Sequence, residues 1–216
     1  MTRLALTLAL LVLGWSRATH ACEPPISPQV FAIEHQVFGK IGHQTIRFGC
    51  QDGLLEVEAE EAIEVRIALV TAFTRSGRYH ERWRDDRLMW FEGEVEDDQG
   101  RSLVSARHES GAVVILGPDG RIEAPETVVP NLPWSEWIAA RSLAFDLQSG
   151  ELLHLIISSA GVEELTFGDQ RVIARKLAVR GDRPRELWFD DTGLLKWQLR
   201  THGATVTLTR QALTPR

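Results

Sequence analysis

The stretch Leu54-Leu55-Glu56-Val57-Glu58-Ala59-Glu60-Glu61-Ala62-Ile63-Glu64-Val65-Arg66-Ile67-Ala68-Leu69-Val70 decides the fold. Its odd positions carry Leu55, Val57, Ala59, Ile63, Val65, Ile67 and Leu69, whereas its even positions carry Glu56, Glu58, Glu60, Glu64 and Arg66. Side chains of a strand point alternately to its two faces, so period-two alternation of this length predicts a strand with one face in a core and the other in water. Glu61 alone breaks the apolar register, which predicts a bulge or bend there.

Outward from this strand, turn chemistry recurs at short intervals: Gln51-Asp52-Gly53, Arg75-Ser76-Gly77, Asp98-Gln99-Gly100, Ser110-Gly111, Pro118-Asp119-Gly120, Gln148-Ser149-Gly150, Gly168-Asp169-Gln170, Asp190-Asp191-Thr192-Gly193 and His202-Gly203. Gly and Asp reach the positive φ values of tight hairpins, so this spacing predicts sequential antiparallel strands. We place them near 29–38, 43–50, 54–71, 77–84, 87–96, 101–108, 112–116, 151–158, 162–167, 171–180, 185–190, 194–201 and 204–210. The expected fold is mainly all-β, an antiparallel meander curved into a half-barrel or open barrel. One segment interrupts it: residues 125–142 hold Pro125, Pro130 and Pro133, then Trp134-Ser135-Glu136-Trp137-Ile138-Ala139-Ala140-Arg141. Proline just before an apolar, helix-tolerant run is a helix start, so this is a short helical insert expected to act as plug, lid or flap.

The first residues set the compartment. Arg3, the apolar run Leu4 to Leu13 and Thr19-His20-Ala21 read as a signal peptide over 1–21, leaving 22–216 as one domain. The run is shorter than the about 20 residues a membrane span needs. The protein is therefore expected in the periplasm or secreted. Without residues 1–21 there remain 22 basic against 30 acidic residues, a net charge of −8. That balance disfavours both nucleic acid and anionic lipid headgroups as main partners, since both need a basic footprint. Cys22 and Cys50 are the only cysteines, and an even count in an exported chain permits a disulfide, worth about 3 kcal/mol on chain-entropy grounds. Lipid anchoring at Cys22 and two free thiols are the competing readings. The sequence Thr19-His20-Ala21 fits lipoprotein processing poorly.

There is no Gly-x-Ser-x-Gly elbow, phosphate-binding loop, His-Glu-x-x-His or Cys-x-x-Cys, which removes the commonest hydrolase, nucleotide and zinc readings. No catalytic residue, metal site or cofactor is expected. His35 and His43 fall on adjacent strands and could form a two-His face for a metal that finds further carboxylates, but scattered surface or half-buried histidines are the default reading; the members of His80-Glu81 and of His108-Glu109, adjacent within strands, point to opposite faces. Tryptophan is the conspicuous residue: Trp83, Trp90, Trp134, Trp137, Trp188 and Trp197 follow the signal. Core burial explains such residues by default, because they bring large apolar area. The functional alternative is a ligand cavity lined by Trp134, Trp137, Trp83, Trp90 and Trp188.

The segments Glu81-Arg82-Trp83-Arg84-Asp85-Asp86-Arg87-Leu88, Asp146-Leu147-Gln148-Ser149-Gly150, Phe167 to Leu177 and Leu187-Trp188-Phe189-Asp190-Asp191-Thr192-Gly193-Leu194-Leu195, with the Trp134/Trp137 insert, resemble an uncharacterised family of exported bacterial β-rich proteins, a domain of unknown function. The layout is distantly similar to the half-barrel of outer-membrane lipoprotein carriers. That resemblance implies a curved sheet around an apolar cavity covered by a helical segment. The leading expectation is a non-catalytic binding or carrier protein for an apolar, lipid-like ligand. An envelope structural or assembly factor acting through protein contacts is the alternative, and an enzyme with an unrecognised site the third.

Overall fold

The computed structural model describes residues 28–201 and 203–211. The expected signal segment 1–21 and Cys22 lie outside these residues. The first half of the chain is an unbroken meander: β1 (Gln29–His35), β2 (Gly39–Gln51), β3 (Leu54–Ile67), β4 (Val70–Arg84), β5 (Arg87–Asp97), β6 (Gly100–Glu109), β7 (Ala112–Gly117) and β8 (Gly120–Pro125). An insert follows with β9 (Val129–Pro130), α1 (Glu136–Ala139) and β10 (Leu143–Phe145). The chain then returns through β11 (Leu152–Phe167), β12 (Gln170–Gly181), β13 (Arg185–Asp190), β14 (Gly193–Thr201) and β15 (Ala204–Arg210).

These strands form one sheet in the order β8-β7-β6-β5-β4-β3-β2-β1-β15-β14-β13-β12-β11-β10-β9. Because β15 pairs with β1, the two halves meet mid-sheet, and both sheet edges, β8 and β9, are neighbours in sequence. The sheet curls as a barrel with one unclosed seam between β8 and β9. Pro125 ends one edge and Pro130 the other; a residue without N–H cannot extend a ladder, which blunts both edges. Among the described strands only β9 and β10 run parallel, joined through α1.

The alternation of β3 is realised: Val57 and Ala59 are buried, and Glu58 and Glu60 face water. The outward acids meet bases on neighbouring strands, Glu60 with Arg47 at 3.3 Å and Glu56 with Arg82 at 2.9 Å. Several boundaries differ from the sequence reading. The strand expected to run to 71 turns back at Ala68-Leu69, so β4 starts at Val70 and absorbs the expected turn at Ser76-Gly77. Gly77 is needed there because a Cβ would run into the Tyr79 hydroxyl, so the glycine marks a close approach inside a strand. Glu61 is no bulge; it keeps the inward register and finds Arg75 at 3.1 Å. The expected strands 151–158 and 162–167 are one element, β11, carrying a bulge between Ser159 and Val162. Strands β8, β9 and β10 were missing from the expectation.

The Ala68 turn is a two-residue hairpin in which Ala68 itself takes φ 55°. A β-branched side chain resists that backbone region, so Ala68→Val is expected to lower stability by about 1–3 kcal/mol, read by urea unfolding.

Candidate functional site

The core is one large cluster inside the curl, completed by the insert, with a small second cluster apart from it. Ser135 caps α1 by accepting from the Ile138 N–H, which turns Trp134 and Ile138 inward. Trp134 is 1% exposed and packs edge-on against Trp83 (6.3 Å), Trp137 (5.6 Å) and Phe48 (5.3 Å between ring centroids). Beneath it lies Glu81, fully buried on β4. Its Oε2 accepts from both indoles, Trp83 Nε1 at 2.7 Å and Trp134 Nε1 at 2.9 Å. Burial pushes the carboxyl up to about 8 despite those two donors, so it is held neutral at physiological pH. Glu81 thus fastens the insert to the sheet through one oxygen.

At one end of the curl this packing gives way to a cavity of about 650 Å³. Its walls are mainly apolar, with Ile33 and Ile41 from β1 and β2, Ile63 and Val65 from β3, Phe73 from β4 and Trp197 from β14. Leu132 and Leu147 of the insert and its following loop form one side. The register explains the placement: Gly42 pairs with both Ile33 and Ile63, setting these inward-facing residues in one row across three strands.

A polar belt borders the cavity. Arg75 donates to Glu61 (3.1 Å) and to Gln148 (2.7 Å), and Gln148 donates in turn to Asp97 (3.0 Å). Burial opposes the Arg75 charge, but Glu61 and Tyr79 outweigh it and hold the guanidinium above its ordinary value. Desolvation, with Glu61 nearby, raises the Tyr79 phenol, which stays protonated. Burial works against the Asp146 charge, yet Arg183 at 2.7 Å and the Gln148 and Ser149 amides hold it below the usual range. Arg185, buried and donating to Asn131, is lowered to about 10 by desolvation and by Arg183. The two acids and two bases of the wall, Glu61 with Arg75 and Asp146 with Arg183, therefore neutralise one another. The loop carrying Gln148 is seated by Ser102, which donates to its carbonyl, and by Gly117, where a Cβ would run into the Ser149 carbonyl oxygen.

The five tryptophans named from sequence sit elsewhere. Trp83, Trp134 and Trp137 form the aromatic cluster under the insert. Trp90 stands on β5 against His80 (5.0 Å) and Arg82 (5.4 Å). Trp188 is buried in a small second cluster with Leu165, Ala174 and Leu195, between the ammonium groups of Lys176 and Lys196 at 4.7 and 4.5 Å. None of the five lines the cavity; Trp197 does. Glu61 and Arg75, which sequence reasoning took for a bend and a turn, are part of its wall. The signal was present, since an acid in the apolar register of β3 demands a buried base. Among the described residues no group of three His, Cys, Asp or Glu could hold a metal ion. Nor is any helix among them long and apolar enough to cross a membrane. Cys50, on β2, is not a free thiol.

Among curated proteins no relative matches this sequence. In architecture the chain is similar to the crystal structure of a beta-barrel-like protein of a domain of unknown function, DUF1849, from Brucella abortus. The TM-score is 0.61 at 10% identity, covering 87% of this chain and 97% of that one. That likeness speaks to the fold alone. The sequence match is to the domain of unknown function DUF6134 over residues 37–211, from the first hairpin turn to just past the last strand, and the chain belongs to that family.

Proposed function

We propose that this protein is an exported, non-catalytic binding or carrier protein for an apolar, lipid-like ligand held in the cavity at the end of the curl. One observation carries the reading: an aliphatic and aromatic cavity of about 650 Å³ whose wall charges are internally paired. Ligand pockets fall in the range of roughly 300–1,000 Å³, and a lining whose acids and bases neutralise one another favours an uncharged chain over an ion. A structural or assembly role would be served as well by a filled interior, so the cavity favours the carrier.

Filling the cavity tests this. Ile63→Trp and Val65→Trp add bulk into open space and should stay folded, while weakening binding of a fluorescent long-chain fatty alcohol about tenfold or more. Unchanged affinity in both variants would overturn the reading.

The compartment belongs to the same proposal. The mature chain begins at Cys22, which bridges to Cys50 and ties the N-terminus to β2. N-terminal sequencing of the envelope-purified protein should start at Cys22, and reduction should add two hydrogens to its intact mass. A diacylglycerol-sized mass excess would instead place a lipid anchor there.

A further inference from the structure

The largest concentration of exposed apolar side chains lies on two neighbouring hairpin tips. Of the eleven large hydrophobic residues that face water among the described residues, five fall at Val37 and Phe38 between β1 and β2, and at Ile67, Leu69 and Val70 around the β3–β4 turn. Gly42 pairs with Ile63; three β2 residues precede Gly42 and four β3 residues follow Ile63. The two tips therefore end side by side and at similar height. Leu69 is 96% exposed. Such a display costs solubility and is not scattered, so it calls for a partner.

Both tips are held in shape. Val37 donates its N–H to His35 Nδ1 (3.1 Å), and the His35 ring stacks on Phe38 at 4.7 Å. Thr71 donates to Glu64 at 3.1 Å across the base of the other turn. Directly below them, on the same strands, His35, Ile63, Val65 and Phe73 line the cavity, so the tips stand at its mouth.

We propose that these two tips dock the protein on a lipid surface, inserting Val37, Phe38, Leu69 and Val70 among acyl chains so that the cavity mouth faces the bilayer from which its ligand is taken. This rests on the carrier reading above. The shape favours a bilayer over a protein: the exposed side chains sit on two hairpin turns rather than along a strand edge or across a flat face, and a fluid lipid interface accepts such convex points. The charge around the tips does not oppose this: exposed Lys40, Arg66 and Arg200 are balanced by Glu34, Glu64 and Asp98, which accepts from Thr74 on β4, so the tips are locally neutral on an acidic chain and insertion rests on their apolar side chains.

The test is flotation of the mature protein with vesicles of phosphatidylethanolamine and phosphatidylglycerol, in parallel with binding of the fluorescent fatty alcohol in solution. Leu69→Asp and Val37→Asp alter residues that touch little, so they should fold and bind the alcohol like the wild type, but float about tenfold less or worse. Leu103→Asp, also at an exposed leucine but on the outer face of β6, should float like the wild type. Wild-type protein that binds the alcohol but does not float, or tip variants that float unchanged, would overturn docking and leave the carrier reading standing. Loss of alcohol binding together with flotation in the tip variants would also overturn it, because the tips would then be part of the cavity. Wild-type protein that floats through its tips but binds no alcohol would sink the carrier reading instead.

Discussion

Glu81→Gln is expected to flatten the stability of this protein between pH 4.5 and 8, and to make it more stable than the wild type at the alkaline end. The folded-state carboxyl is raised to about 8 from an ordinary value of 4.5 by complete burial. A group raised on folding stabilises fully below its unfolded pKa. That contribution is lost as pH climbs toward the folded value, because the unfolded chain releases the proton first. Wild-type stability attributable to Glu81 should therefore fall by roughly 1 kcal/mol per pH unit across that window. Glutamine keeps an acceptor for both indoles and cannot ionise. Glu81→Leu should be destabilised at every pH, since it leaves two buried indole N–H groups unpaired at about 1–3 kcal/mol each. Urea unfolding at pH 5 and pH 8.5 reads the difference; parallel losses in wild type and Glu81→Gln would contradict it.

Trp134→Ala should cost about 3–5 kcal/mol, the ordinary loss for truncating a buried tryptophan. It removes three edge-on aromatic contacts and one of the two donors to Glu81. Trp134→Phe separates the ring from its N–H and should cost about 1 kcal/mol for the lost hydrogen bond. The two sites touch, so the cycle of Trp134→Phe with Glu81→Gln should be non-additive by about 0.5–3 kcal/mol. Additive effects would mean that the insert is held by packing alone.

How far the sequence carried these conclusions depends on the kind of signal. The curved antiparallel sheet was legible because alternation and turn residues are local. The alternation of β3 and glycine turns such as Asp52-Gly53 came through as read. The Ala68-Leu69 hairpin was not legible: alanine at positive φ carries no turn chemistry, and the apolar alternation runs straight through it. Gly77 misled for the opposite reason, since a glycine cleared for the Tyr79 ring looks like a glycine in a turn. The cavity was inferred as a kind of place but not by its residues. Tryptophan count pointed to Trp83, Trp134 and Trp188, whose indole N–H groups are spent on Glu81 and Glu163. The wall is built from Ile63, Val65 and Phe73, ordinary strand residues whose convergence depends on register across β1 to β4.

Native mass spectrometry of the protein purified from its own host's envelope tests the apolar-ligand claim most directly, beside the Ile63→Trp variant prepared identically. The expected result is a wild-type adduct that survives gentle ionisation, is lost on denaturation, partitions into organic solvent and is absent from the variant. A bare polypeptide in the wild type, or the same adduct on both proteins, would contradict it.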